Sequence, residues 1–384
     1  MKITQRKFYF NFTLFLSVLF IVGIGLLAIY SVSFQDPGFN NFKRQSLFIG
    51  ISLVVFFAVN AINYGIWEHY ARYFYLFGLL LMFLVLIFGL EIQGTSGWFQ
   101  ISSYHLQPVE IMKMGVILIL AKYFFKAGKD DKRPKHILIS GIICLVPFLL
   151  TIMQPDLGSG LVILGIWFVM LINWGVKRHY VALLLLGFVA AAVLSWFFYL
   201  KTYQKERLTG FLDPEGDPSG SGYHVLQSMT AIGSGGLSGK GLGHGSQSQL
   251  HFLPEAHTDF IYATIGEELG FSGTFLLMLG FLYLFYQLYK VAFTSTDNFG
   301  RYIVEGVMAM FAIQLLVNIG MNIGIFPVIG LPLPLVSYGG SALVVEFFLL
   351  GLVSNIYSAS RRSQSSLTSN EVMLENRPNP RVYI

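Results

Sequence analysis

Charge is scarce in this sequence. Asp, Glu, Lys and Arg make up only 12% of its 384 residues, where an ordinary globular chain carries roughly 25%. A soluble fold of this size could not cover its surface with so few charges. Cysteine is nearly absent too. Cys144 stands alone in an apolar run, which excludes an internal disulfide and any CxxC metal or redox pair. Hydrophobic residues reach 54% and the mean hydropathy is +0.63. Disorder, coiled coil, collagen and disulfide scaffold all fail on the same composition, and an integral membrane protein remains. The net charge of +5 is therefore no nucleic-acid signal. What matters is where the basic residues fall.

A helical span needs about 20 mostly apolar residues. Ten stretches qualify: 9–32, 46–62, 73–91, 108–125, 137–153, 157–174, 180–200, 260–289, 302–325 and 337–358. The expected fold is an all-α bundle of about ten transmembrane helices, one polytopic domain over residues 1–360. The start at Met1–Lys7 imitates a signal peptide, but the apolar run is too long and no small-residue cleavage site follows, so it reads as a retained first helix.

Lysine and arginine in short loops set the orientation. With the N-terminus inside, 18 of the 25 basic residues fall on the inner side and six on the outer. Both termini are then cytoplasmic. Residues 361–384, polar and rich in Ser, Asn and Pro, read as a disordered cytoplasmic tail. Residues 201–257 form a 57-residue outer loop with 11 glycines. Its aromatic and mixed-charge content points to an ordered, tightly turning loop, the plainer alternative being a flexible one.

A charge inside the hydrocarbon is costly, so each one marks a candidate site. In Gln107-Pro108-Val109-Glu110-Ile111-Met112-Lys113, Glu110 and Lys113 share a helix face at i and i+3; they form either a structural pair or a functional one. In Gln154-Pro155-Asp156-Leu157-Gly158, Asp156 is a helix cap or a site residue, and the two roles are compatible. In the stretch from Gly239 to Gly270, Asp259 stands where the eighth span begins, below a basic, glycine-rich loop, with Glu255, His257, Thr258, Glu267 and Glu268 nearby. That is a good place for proton transfer or for an ordinary cap. His257 and Asp259 match a metal-ligand set only loosely. The stretch Pro327–Ser341 is broken by three prolines and three glycines; irregular backbone at membrane depth must be lined by protein or by water. Ser337, Tyr338 and Ser341 are its donors. Glu346 follows, and it faces the bundle or a partner helix.

Together these motifs resemble the SEDS family (shape, elongation, division and sporulation proteins) over nearly the whole chain, and the elongation branch more than the division branch. The stretches Gly239-Lys240-Gly241, Ser246–Leu250, Phe252-Leu253-Pro254-Glu255, Leu331–Pro334 and 211–236 carry that finer likeness. Val109 and Ala342 depart from usual serines.

The resemblance implies a glycosyltransferase that polymerises lipid II into β-1,4 glycan strands at the outer face of the bacterial cytoplasmic membrane during elongation. It implies a class B penicillin-binding protein and the elongation machinery as partners, with membrane lipid around the bundle. The essential aspartate of the HTDF motif falls on Asp259. Glu110, Lys113, Asp156 and Ser337 fall on further motif positions. Inverting transfer needs a base on the acceptor hydroxyl, and Asp259 is the candidate. The leaving diphosphate needs positive charge, from Lys113, Lys240, Arg207 or a Mg²⁺ or Mn²⁺ ion; the sequence does not choose. The rival reading is a lipid II flippase, which the lack of a visible inverted repeat and the outer clustering of polar motifs disfavour.

Overall fold

The computed structural model describes residues 9–35, 38–92, 94–101, 104–128, 133–198, 205, 210–214, 216, 221–250 and 252–375. The segment Met1–Lys7 and Arg207, both used in the sequence reading, lie outside them.

Each of the ten expected spans holds a helix. They are α1 (Phe12–Val32), α2 (Asn40–Ala61), α3 (Gly65–Phe88), α4 (Pro108–Ala127), α5 (Pro134–Met153), α6 (Leu157–Trp174) and α7 (Arg178–Phe198). After the long loop, which itself holds α8 (Ser221–Gly235) and the single turn α9 (Ser246–Gln249), come α10 (Ile261–Thr294), α11 (Asn298–Asn322) and α12 (Gly340–Glu375). Among the described residues, nine helices are long and apolar enough to cross a membrane. The tenth, α4, carries Glu110, Lys113, Lys122 and Lys126. It lies inside the bundle, packed on α3, α6 and α11, and that position buries Glu110 and Lys113, while Lys122 is half-buried and Lys126 is exposed near the helix end. By contrast α7 has no buried residue. Large apolar side chains such as Phe83, Leu186, Phe197, Leu282 and Tyr286 face outward, a surface suited to lipid rather than water. The chain is a multi-pass membrane protein.

Two features depart from the sequence reading. Between α3 and α4 the chain forms a small antiparallel sheet, β1 (Leu90–Ile92), β2 (Thr95–Ile101) and β3 (Tyr104–Leu106), in that order; Phe99 faces Leu106 and Gln100 faces His105 across β2 and β3. Each strand is too short to register against the neighbouring spans. Second, α12 continues to Glu375, well into the stretch expected to be an irregular tail. Between Gly351 and Pro378 the sequence has no glycine or proline, so nothing there forces the helix to stop. Of the two placements expected for Glu346, the bundle and a partner helix, the structure shows the first: it is 3% exposed and faces the bundle.

The long loop is ordered where it is described. The helix α10 breaks at Gly270, whose φ is 66°. The break frees the carbonyls of Glu267 and Glu268, which accept Lys240 N (3.0 Å) and Gly241 N (2.9 Å), while Phe271 N and Ser272 N donate to Gly236 O and Leu237 O. The end of α8 is thereby stitched to the kink.

Candidate active site

Residues 323–339 run without regular structure between α11 and α12, yet Leu331, Leu333, Leu335 and Val336 are all buried. A buried irregular segment must have its backbone polar groups paired. Here side chains from three helices do it. Leu331 O accepts from Asn318 Nδ2 of α11 (2.7 Å). Leu335 N donates to Glu346 Oε2 of α12 (2.9 Å). Ser337 O accepts from Gln45 Nε2 of α2 (3.2 Å), and Gly339 N donates to Gln45 Oε1 (3.3 Å). Two glycines admit the segment. A Cβ on Gly25 of α1 would lie 2.6 Å from Val336 O, and one on Gly158 of α6 would lie 2.8 Å from Ile329 O.

This segment holds the residues just before α10. Tyr338 N donates to His257 O (2.8 Å), and Ser337 Oγ donates to Thr258 O (2.6 Å) while accepting Leu333 N (2.8 Å). Asp259 O accepts from both Asn318 Nδ2 (2.9 Å) and Asn322 Nδ2 (3.0 Å). Three consecutive carbonyls are therefore fixed. The Asp259 side chain is half-buried, and its Oδ2 lies over Gly330, 3.5 Å from where a Cβ would stand. The helix α10 starts with Phe260 at its cap position and no side-chain cap. His257 packs against Tyr338, ring centroids 5.5 Å apart. Burial pushes its imidazole below the ordinary value, opposed by the nearby Glu255.

Two further motifs join the same end of the bundle. Asp156 caps α6, accepting Ser159 N at Oδ1 (2.9 Å). Its Oδ2 accepts from Gln107 Nε2 (3.4 Å), and Gln107 N donates to Ser341 Oγ (3.3 Å). Ser341 Oγ in turn donates to His105 O of β3 (3.0 Å), and Ser96 N of β2 reaches Gln154 O (3.3 Å). The small sheet is thus part of the site's frame.

Glu110 and Lys113 lie deeper. Lys113 Nζ donates to Glu110 Oε1 (2.7 Å), with side chains 0% and 2% exposed. Glu346 is within electrostatic reach of both. A lysine so enclosed and paired does not meet a ligand at the Asp259 end in this arrangement. Lys240 is also committed. Its Nζ donates to Glu267 Oε1 (2.8 Å) and to Ser246 Oγ (2.9 Å), although its side chain is 29% exposed. Glu267 further accepts Gln247 N (2.9 Å) and Ser248 N (3.0 Å), so its carboxylate organises the turn α9. Among the described residues no group of three or more His, Cys, Asp or Glu is arranged to hold a metal ion.

The structure thus brings Asp259, Ser337, Asp156 and the stretch at Gln107 into one connected frame. It sets Glu110 and Lys113 inside the bundle and ties Lys240 of the long loop to Glu267 of α10. The residues that sequence reasoning missed are Gln45, Asn318 and Asn322. Their signal was present: uncharged amides inside or at the edge of apolar spans, with Asn318 and Asn322 on one helix face at i and i+4.

The model for the FtsW/RodA/SpoVE cell cycle proteins matches residues 11–362. The chain is 38% identical over 364 residues to peptidoglycan glycosyltransferase MrdB of Escherichia coli K12, an alignment covering 94% of this chain and 97% of the relative. It is 35% identical over 370 residues to stage V sporulation protein E of Bacillus subtilis, covering 93% and 100%. Among solved structures, a chain of a peptidoglycan synthase complex superposes with a TM-score of 0.81 at 30% identity, covering 91% of this chain and 98% of that one. The rod shape determining protein RodA of Thermus thermophilus gives 0.69 at 30% identity, covering 91% and 96%.

Proposed function

The chain belongs to the FtsW/RodA/SpoVE family of cell cycle proteins and is a peptidoglycan glycosyltransferase, and on that premise we propose how it works: Asp259 is the general base of glycan polymerisation from lipid II. The observation that carries this reading is the clamp on the carbonyls of His257, Thr258 and Asp259. Catalytic groups need positions held to a fraction of an ångström, and here the backbone of one half-buried acid is held from α11 and from the 327–339 segment together.

The reaction balances as follows. The Asp259 carboxylate takes the proton of the acceptor 4-hydroxyl of an N-acetylglucosamine. That oxygen attacks the donor's anomeric carbon from the face opposite the leaving group. The carbon–phosphate oxygen bond breaks, and undecaprenyl diphosphate leaves with the electron pair. An α-linked donor then gives a β-1,4 product. Ser337 and Asp156 act in this scheme by holding the frame. Glu110 and Lys113 act as a buried pair that pins α4, and Lys240 fastens the loop that closes over the sugars. Magnesium and manganese commonly combine one or two carboxylates with substrate phosphates. That is the form of metal use open to this site, where the ion would neutralise the leaving diphosphate.

We further propose that the Asp259 end faces outward, with both termini cytoplasmic, in line with the lysine and arginine bias. The working assembly includes a class B penicillin-binding protein, a reading supported by the likeness to a chain of a peptidoglycan synthase complex. The role in elongation rests on the loop motifs and on the match to MrdB. No observation favours transport over transfer.

The test is polymerisation of labelled lipid II by the purified protein, with and without that partner. Glycan strands should form with the wild-type chain and not with Asp259→Asn. An Asn variant that still polymerises removes Asp259 from the chemistry.

A further inference from the structure

An α-helix that included Asp259 would bond Ala263 N to Asp259 O, four residues back. The two groups are both engaged, but by a third party. Ala263 N donates to Asn322 Oδ1 (3.1 Å), and Asp259 O accepts from Asn322 Nδ2 (3.0 Å). The Asn322 carboxamide occupies the place of that helical hydrogen bond, using its acceptor on one side and its donor on the other. The first bond of this register that forms is Thr264 N to Phe260 O (3.1 Å), and α10 begins at Ile261.

We propose that Asn322, supported by Asn318, is a positioning residue for the transfer reaction. Its carboxamide is a wedge that stops α10 from winding back over Asp259 and so fixes the direction of the Asp259 carboxylate. The proposal rests on Asp259 being the base. One residue of extra helix turns a side chain by about 100° around the axis, enough to carry the carboxylate away from an acceptor.

The wedge is itself held. Asn322 is fully buried, as is Asn318. Asn322 Nδ2 also donates to Asn318 O (2.8 Å), and Asn318 Nδ2 spans from Asp259 O to Leu331 O. On the other side, Ser228 Oγ of α8 donates to Asn322 O (2.8 Å) and reaches Asn322 Oδ1 (3.4 Å). The long loop therefore touches the wedge that aims the base.

The measurement is steady-state polymerisation of labelled lipid II, with kcat and KM resolved. Asn322→Ala should lower kcat by about 10²-fold, the usual consequence of misplacing a catalytic group by about 1 Å. KM should stay within about twofold, because the group acts in the transition state and not in substrate binding. Asn318→Ser, which leaves the wedge in place, should lower kcat by about tenfold and serves where Asn322→Ala does not fold. Ser228→Ala tests the loop link in the same way, with a smaller fall in kcat. The control is Asn355→Ala. Asn355 is another buried asparagine, holding Tyr64 N and Asn60 O at the opposite end of the bundle. It should lose thermal stability with kcat unchanged. If Asn322→Ala and Asn318→Ser keep a wild-type kcat while Asp259→Asn is inactive, the wedge is wrong and the base stands. If Asp259→Asn is active, the base reading fails first. If Asn355→Ala lowers kcat as much as Asn322→Ala does, both asparagines act structurally and the inference is overturned.

Discussion

Two aspartates at the same end of the bundle, Asp156 and Asp259, look alike in sequence and are held differently. Each follows a turn and precedes an apolar helix. Asp156 spends its carboxylate on the helix below it, one oxygen taking Ser159 N and the other the Gln107 amide. Its value is local stability. At Asp259 the protein grips the backbone instead. Two asparagines take the carbonyl, a third amide contact takes Ala263 N, and Phe260 sits at the cap position of α10 without a side-chain cap. On the proposed reading, an acid whose backbone is held from several sides is placed for chemistry. An acid whose side chain is the cap is arranged for folding.

Asparagine at both positions separates the two roles most sharply. Asn is as good a cap as Asp, so Asp156→Asn should polymerise lipid II at close to the wild-type rate. Asp259→Asn removes a base, and general base catalysis contributes typically about 10²- to 10⁴-fold. It should lose activity by that factor while melting within a few degrees of wild type. Equal losses in the two variants would erase the distinction between them.

The deep pair tests the same idea from inside the bundle. Removing one member of a buried ion pair strands a charge and costs about 3–5 kcal/mol, while replacing both with apolar residues is often neutral. Lys113→Met alone should therefore melt far below wild type, and Glu110→Met with Lys113→Met should recover most of the loss. The double variant should also polymerise if the pair is structural. A stable double variant with no activity would return Lys113 to the substrate site, and α4 would then have to move to expose it.

Much of this was legible in the sequence because its strongest signals are long. Ten apolar runs gave ten helices, and the motifs around Glu110, Asp156, Asp259 and Ser337 were found by asking which polar groups lie where lipid should be. What that question missed is informative. It searched for charges, and the frame is built largely of amides: Gln45, Gln107, Asn318 and Asn322. An amide costs less to bury than a charge and offers a donor and an acceptor together, so it is the natural partner for loose backbone at membrane depth. The sheet at 90–106 escaped because its strands are three to seven residues long. Lys240 read as a free cation because its partner Glu267 is 27 residues away, beyond the reach of any local pattern. Glu346 had no role until the fold brought it to the backbone of Leu335.

Truncating the cap is a milder break. Asp156→Ala removes the Ser159 bond and the Gln107 contact together, and loss of a cap costs about 0.5–2 kcal/mol. The melting temperature should fall while kcat per folded molecule changes little. A larger fall in kcat than in stability would mean that the Gln107–Ser341 link helps to position substrate.

The smallest effect expected is one of pH, and it also distinguishes the two aspartates. His257 stands two residues before Asp259, with its carbonyl in the same clamp, whereas Asp156 has no histidine so close in sequence. Burial holds the His257 imidazole below its ordinary value, the pull of Glu255 notwithstanding. Its folded form is thus the neutral one, and the unfolded chain binds the proton more readily, with a pKa of about 6.5. The stability it contributes is fully present above that value and is lost as pH falls through the lower folded pKa. Thermal unfolding followed from pH 7.5 to 5 should show this loss in the wild type and less of it in His257→Gln. Asp156→Asn, which leaves the clamp alone, should keep the wild-type slope. If His257→Gln loses stability as steeply as the wild type, the proton goes elsewhere, and the clamp around Asp259 is insensitive to pH in this range.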